Sequence, residues 1–343
     1  MEMFLWFVKN VSIGVIKLTV NQAADLYFEM KKGLMKPSSY VNAQRLYRDH
    51  IRQYFGDMDC ETITSREMQK FYNSLVNRKM KSDPAKTLSS KTAKDIFTFA
   101  KTILYFAMEE GEMTERRFKT KTPYGFRDID NGQDEYFKEE QYKKLMLLST
   151  TIDEKGKNYN QSKMFVMLAL TTGMRIGEIC GLKWSDVDFE SNTIKVQRTV
   201  QRIVNIDGSS YINVGEPKSK SSKRVVILTE IAKETLFKYK KYFGAENCLP
   251  NNYILTNKST PTEPRTVRQG YSRLLKANDI QYIHPHGLRH TFTTYAIDNG
   301  VDVKTTSQLL GHAHTSMTLD TYTHITEKQM KNTVNRLNEI TSL

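Results

Sequence analysis

Thr171-Thr172-Gly173-Met174-Arg175-Ile176-Gly177-Glu178 follows an unbroken apolar run, Met164 to Leu170. Together they read as a buried helix, a stop at Gly173 and a second, short helix opening at Arg175. An arginine at a helix start is well placed to take a phosphate. Its planar fork matches two oxygens, and the N–H groups of the first turn have no partner inside the helix. Arg175 also has a plainer use, an ion pair with Glu178 three residues on.

Three segments further along carry chemistry of the same kind. Pro217-Lys-Ser-Lys-Ser-Ser-Lys-Arg-Val-Val-Ile-Leu is a turn running into a strand, with Lys218, Lys220 and Lys223 in it. His286-Gly287-Leu288-Arg289-His290 follows Pro285, a good first-turn residue, and the i, i+3, i+4 spacing puts His286, Arg289 and His290 on one helix face. Leu309-Leu310-Gly311-His312 ends a helix at Gly311 and leaves His312 in the turn, with Tyr322 ten residues beyond. Each segment has an ordinary alternative. Lysines at turns are usually solvated, and the histidine face can be a solvated basic surface. His284, His286, His290, His312, His314 and His324 also crowd the last third, which raises a zinc site. No cysteine or carboxylate joins them at a metal-ligand spacing, and the arginines between them would repel a cation, so no metal is expected. Of the nearby tyrosines, Tyr295 lies among apolar neighbours and reads as core, while Tyr282 precedes the histidine-rich loop.

Outward from these segments, 343 residues suggest two domains. Residues 18–118 read as four helices. Asn21 is the expected cap of the first, which runs through Ala24, Leu26, Tyr27 and Met30. Ser38 or Ser39 caps the second, with Leu46, Tyr47, Ile51, Tyr54 and Phe55 apolar and Gly56 closing it. Thr64 and Glu67 make a capping box ahead of Met68, Phe71, Tyr72, Leu75 and Val76. Ser89 or Ser90 opens the fourth, with Ile96, Phe99, Ala100, Ile103 and Ala107, and Gly111 ends it. The polar stretch 119–135, with Pro123, Gly125 and Gly132, is a linker. A second unit, 136–325, mixes helix with strand: Thr193 to Val204 is β-like, Asp207-Gly208 signals a hairpin, and Lys223 to Leu228 is another strand. Asp186 caps or pairs locally. Residues 326–343 read as a tail helix with Met330, Val334, Leu337 and Ile340 on one stripe, which can pack on its own domain or on a neighbouring protomer. The expected fold class is mainly α with a small antiparallel β-sheet.

Lys and Arg number 51 against 38 Asp and Glu, a net charge of +13 shared between the first 120 residues and the rest. Such an excess suits a protein that grips a polyanion with two lobes. Cys60, Cys180 and Cys248 are isolated, and an odd count argues against a disulfide framework, so a reducing cytoplasm is expected. The apolar start, residues 1–17, is interrupted by Glu2, Lys9 and Lys17. It is too short and too charged to span a bilayer, and it lacks a small-residue cleavage site.

Two arginines, a lysine, two histidines and a late tyrosine, in this order and spacing, resemble the tyrosine recombinase (phage integrase) family, specifically over about the last 170 residues and architecturally before that. The resemblance implies an N-terminal SAM-like core-binding bundle and an α+β catalytic domain, closing as a clamp on double-stranded DNA attachment sites. It assigns Arg175, Lys220, His286, Arg289, His312 and Tyr322 to catalysis, with Tyr322 the nucleophile and Glu178 and His290 in support. Lys220 stands where the family carries its hairpin lysine, so its selection over Lys218 and Lys223 rests on the resemblance. No cofactor or metal is implied. A homo-tetramer on DNA with exchange of the C-terminal tail, and an accessory DNA-bending or directionality factor, come with the family. Residues 1–17 are too few for the separate arm-binding module of longer integrases. Two other readings stand beside this one: a type IB topoisomerase-like DNA relaxing enzyme, and a non-catalytic DNA-binding regulator.

Overall fold

The computed structural model describes residues 18–76, 78–79, 87–111, 113–123, 136–152, 160–217 and 222–311. The chain divides into two compact units, Met1–Asn131 with Ile203–Ser210, and Gly132–Arg202 with Tyr211–Leu343.

The first unit is helical. Its helices are α1 (Val20–Lys31), α2 (Pro37–Leu46), α3 (Arg52–Phe55), α4 (Ser65–Ser74) and α5 (Ser90–Glu109), and a π turn at Tyr47–Ile51 joins α2 to α3. Thr19, not Asn21, caps α1. Its hydroxyl accepts from the Gln22 N–H at 3.3 Å, and the Gln22 side chain accepts from the Thr19 N–H at 2.9 Å. The Asn21 side chain is used elsewhere: it donates to Asp57 and accepts from the Tyr47 hydroxyl at 2.7 Å. The second helix starts at Pro37 rather than after Ser38 or Ser39, because proline's fixed φ suits a first turn. Thr64 and Ser89 cap α4 and α5 as expected. Met68, Phe71, Tyr72, Ile96 and Ile103 are buried, with Tyr72 stacked on Phe97 at 4.1 Å. Tyr54, expected on the apolar side, is exposed.

The second unit is built around one helix. Its helices are α6 (Glu139–Thr150), α7 (Gln161–Thr172), α8 (Ile176–Cys180), α9 (Glu230–Phe243), α10 (Pro264–Lys276), α11 (Pro285–Asp298) and α12 (Val303–Leu310). The Met164–Leu170 run forms the middle of α7, which is buried almost all round and packs against α6, α10 and α11. Strands β1 (Val187–Asp188), β2 (Thr193–Val196) and β5 (Arg224–Ile227) make an antiparallel sheet in the order β1-β2-β5. Ile194 pairs with Val226 at its centre. Strands β3 (Thr199–Val204) and β4 (Ser210–Gly215) form a separate hairpin turning at Asp207-Gly208, where Gly208 has φ +85°.

The β-like run Thr193–Val204 is therefore two strands in two sheets. The break is at Gln197-Arg198, where Arg198 turns onto the buried Asp186 carboxylate with contacts of 2.6 and 3.1 Å. The backbone there passes so close to α8 that a Cβ on Gly177 would lie 2.8 Å from the Val200 carbonyl oxygen, and one on Gly181 would lie 3.1 Å from that of Arg198. Mostly helical, with a small antiparallel sheet, the molecule has the expected fold class.

Candidate active site

Helix α7 ends on Gly173, whose left-handed conformation (φ +63°) turns the chain sharply. Two residues on, Arg175 is extended and opens α8. Its N–H donates to one oxygen of Glu178 at 3.0 Å and its Nη1 donates to the other at 3.0 Å. The ion pair is thus real, and it still leaves 36% of the Arg175 side chain exposed. Glu178 is buried, and Arg224 from β5 donates to its Oε2 at 3.1 Å. Burial would raise this carboxyl. The charge and hydrogen bond of Arg224, with those of Arg175, outweigh burial and hold Glu178 below the usual carboxylate range.

Helix α11 is opened by His284, whose Nδ1 accepts from the His286 N–H at 3.3 Å, with Pro285 at the first helical position. Its three predicted residues share a face but not an environment. Arg289 is buried, and its two Nη groups donate to the Gly173 carbonyl at 2.8 Å and the Leu310 carbonyl at 2.9 Å. His286 keeps exposed surface and meets His290 edge to face at 4.7 Å. Its imidazole is pushed down to about 4, chiefly by desolvation and then by repulsion from His290, Arg289, Arg175 and His284. The surrounding cations thus disfavour the imidazolium, and an anion arriving among them would favour it again.

Lys220, His312 and Tyr322 lie outside the described residues, as does the tail 326–343. The described chain approaches them at Ser222 on β5's side and at Gly311, which closes α12 with φ +66°. Lys223, one of the competing lysines, pairs with Glu216 at 2.6 Å. Tyr295 is held as a structural residue: its ring stacks on Tyr142 at 4.5 Å and its hydroxyl donates to the Phe137 carbonyl. Burial, with nearby Glu139, pushes its phenol up to about 12. Tyr282 is half exposed. Asp186 both pairs with Arg198 and accepts from the Lys183 N–H, as its local role required. Among the described residues no three His, Cys, Asp or Glu side chains group to hold a metal ion.

Two features are additional to the sequence reading. One is Arg224, which looks like the polar start of a strand. The other is α10, whose exposed Arg265, Arg268, Arg273 and Lys276 stand opposite a buried stripe of Val267, Tyr271, Leu274 and Leu275, with no acidic residue in the helix. The recurrence of those cations on one helix face, at spacings of three, five and three residues, is the signal that finds it. Two cationic side chains, Arg175 and Arg224, therefore share one buried carboxylate, with Arg289 held on the Gly173 and Leu310 carbonyls and His286 close enough to feel Arg175 and Arg289. Such a place favours an incoming anion.

Residues 19–76 match the phage integrase N-terminal SAM-like domain. A tyrosine recombinase XerC-like protein of Caldanaerobacter subterraneus subsp. tengcongensis is 30% identical, over 91% of this chain and 81% of its own. The ICEBs1 integrase of Bacillus subtilis is 26% identical, over 89% and 78%. The Tn1549 transposon integrase in complex with a circular intermediate DNA has the same fold, with a TM-score of 0.71 at 22% identity over 93% of this chain and 99% of that one. No described helix is long and apolar enough to cross a membrane. Residues 135–329 match the phage integrase family, and with the relative spanning nearly the whole chain this settles the family: the protein belongs to the phage integrases, the tyrosine recombinases.

Proposed function

We propose that this site-specific recombinase cuts and rejoins double-stranded DNA at the attachment sites of a mobile element through a 3′-phosphotyrosine on Tyr322. The observation that carries the reading is the pair Arg175 and Arg224 on the buried Glu178, with 36% of the Arg175 side chain left exposed and His286 close to it. Unaided phosphodiester cleavage is extremely slow, so the charge of the transition state must be neutralised by donors already in place. Arg175 and Arg289 take the non-bridging oxygens, and His312 and His286 add hydrogen bonds. Tyr322 attacks phosphorus as its proton passes to His286, and the bond from phosphorus to the 5′ oxygen breaks. Lys220 protonates that leaving oxygen. The bond energy stays in the phosphotyrosine, so rejoining needs neither ATP nor a metal. Glu178 and His290 hold the pocket.

The exposed cations of α10 supply phosphate contacts, which position the duplex and carry much of the affinity. In this reading residues 18–118 form the core-binding domain, 119–135 the linker and 136–325 the catalytic domain. The protein works in the cytoplasm as a homo-tetramer on paired sites, the 326–343 tails exchanging between protomers, with an accessory factor setting direction.

A duplex nicked beside the scissile phosphate tests the reading, because the cut end diffuses away and the covalent adduct accumulates. Wild-type protein gives the adduct, in excess EDTA as well, while Tyr322→Phe binds DNA and gives none. An adduct in Tyr322→Phe refutes the nucleophile assignment. Relaxation of plasmids without paired sites, at the rate seen with them, would favour the topoisomerase reading instead.

A further inference from the structure

The Arg224 guanidinium is nearly sealed from solvent, its side chain 6% exposed, yet it reaches two distant segments as well as its own. Nε donates to the Leu309 carbonyl at 2.8 Å, Nη1 to the Ser222 carbonyl at 3.2 Å and Nη2 to Glu178 Oε2 at 3.1 Å. Glu178 in turn holds both the backbone and the side chain of Arg175. Leu309 is next to last in α12, and the following carbonyl, Leu310, is taken by Arg289. The last carbonyls of a helix have no partner within it, and cations there complement its negative end. Two arginines from two other elements thus cap consecutive carbonyls at the end of α12, where the chain leaves toward His312 and Tyr322.

We propose that Arg224 is a positioning residue for strand cleavage: it fixes Glu178, and through it the Arg175 fork, in register with the end of α12. The Ser222 bond is local, two residues back along the chain, and steadies the guanidinium itself. A planar fork with five donors in fixed directions can join three acceptors in this way, and a flexible ammonium cannot reproduce it. The inference rests on the reading above that Arg175 and Tyr322 act on one phosphate.

The test compares Arg224→Met, Arg224→Lys, Glu178→Gln and the Arg224→Met/Glu178→Gln pair on the nicked duplex. Adduct formation is measured at saturating DNA, single-site binding by gel shift and folding by melting temperature. Arg224→Met is expected to slow adduct formation on the order of 10²-fold, the scale of an ångström's misplacement, while single-site binding stays within about threefold. Arg224→Lys recovers part of the rate, because the charge remains and the fork does not. If Arg224 works through Glu178, the double variant is no slower than the slower single one. Fully multiplicative losses, an Arg224→Met rate within about threefold of wild type, or cleavage and binding falling in step with melting temperature each overturn the proposal. If Arg224→Met does not fold, the rate-to-binding split in Arg224→Lys decides by the same criteria. Failure of wild-type protein to form an adduct, or an adduct in Tyr322→Phe, would sink the underlying reading. A wild-type adduct with an unaffected Arg224→Met would sink this inference alone.

Discussion

Gly173→Ala should separate two costs that meet at one position. The first is conformational: φ is +63°, where an L residue other than glycine costs about 1–2 kcal/mol. The second is steric. A Cβ at Gly173 would lie 2.6 Å from Phe292 Cδ1 and 2.7 Å from Leu310 Cδ2, about 1 Å inside ordinary carbon contact. Forcing such a group into packed surroundings costs about 1–3 kcal/mol. Their sum is roughly 2–5 kcal/mol, and for a unit of this size each kcal/mol lowers the melting temperature by about 2–4 °C. Gly208→Ala is the control. Its φ is +85°, and nothing lies within 4 Å of the added carbon, so it carries only the conformational cost. Gly173→Ala should melt well below Gly208→Ala. It should also slow adduct formation, because displacing Leu310 disturbs the carbonyls of both Gly173 and Leu310 that Arg289 holds. Equal melting of the two variants would show that Phe292 and Leu310 yield at no cost, and the packing argument would fall.

Other expectations concern the pocket's charges. His286 has a folded value near 4 against an ordinary 6.5, so between those values the unfolded chain binds more protons and stability rises with pH. Acidification through that window weakens the fold, and bound DNA phosphate, by offsetting the neighbouring cations, raises the value. Ring-proton NMR titration of free and DNA-bound protein checks both, and a free value at 6.5 would refute the crowding argument. Arg175→Lys should lower the cleavage rate on the order of 10²–10³-fold in the nicked-duplex assay with little change in binding. Lys220→Ala should recover nearly full cleavage on a 5′-phosphorothiolate substrate, whose leaving group needs no proton. An undiminished defect would move the acid elsewhere.

Local signals were legible where local chemistry decides. Thr64 and Ser89 cap their helices because each hydroxyl finds an N–H in the next turn. Gly173 and Gly311 stop theirs because the chain must turn left-handed. Asn21 misled because its side chain is drawn to Tyr47 and Asp57, leaving the cap to Thr19. The long β run misled because Arg198 is pulled to Asp186, a pairing that no strand pattern encodes. The order of charged residues pointed to the family. Arg224 stayed hidden for another reason: its partners Glu178 and Leu309 lie 46 and 85 positions away in the chain. The contrast of Arg289, buried beneath an exposed His286, was equally out of reach, since helical spacing places residues on a face without saying how deep each sits.

The two faces of α10 divide labour between holding the fold and meeting solvent. Val267, Tyr271, Leu274 and Leu275 hold the helix to the unit, whereas Arg265, Arg268, Gln269, Ser272 and Arg273 point outward. Substitutions on the outer set leave the packing of α7 intact and the pocket around Glu178 undisturbed. If those cations meet phosphate, as proposed above, a library randomised at those five positions is expected to change affinity and its salt dependence while the ion pairs on Glu178 stay as they are.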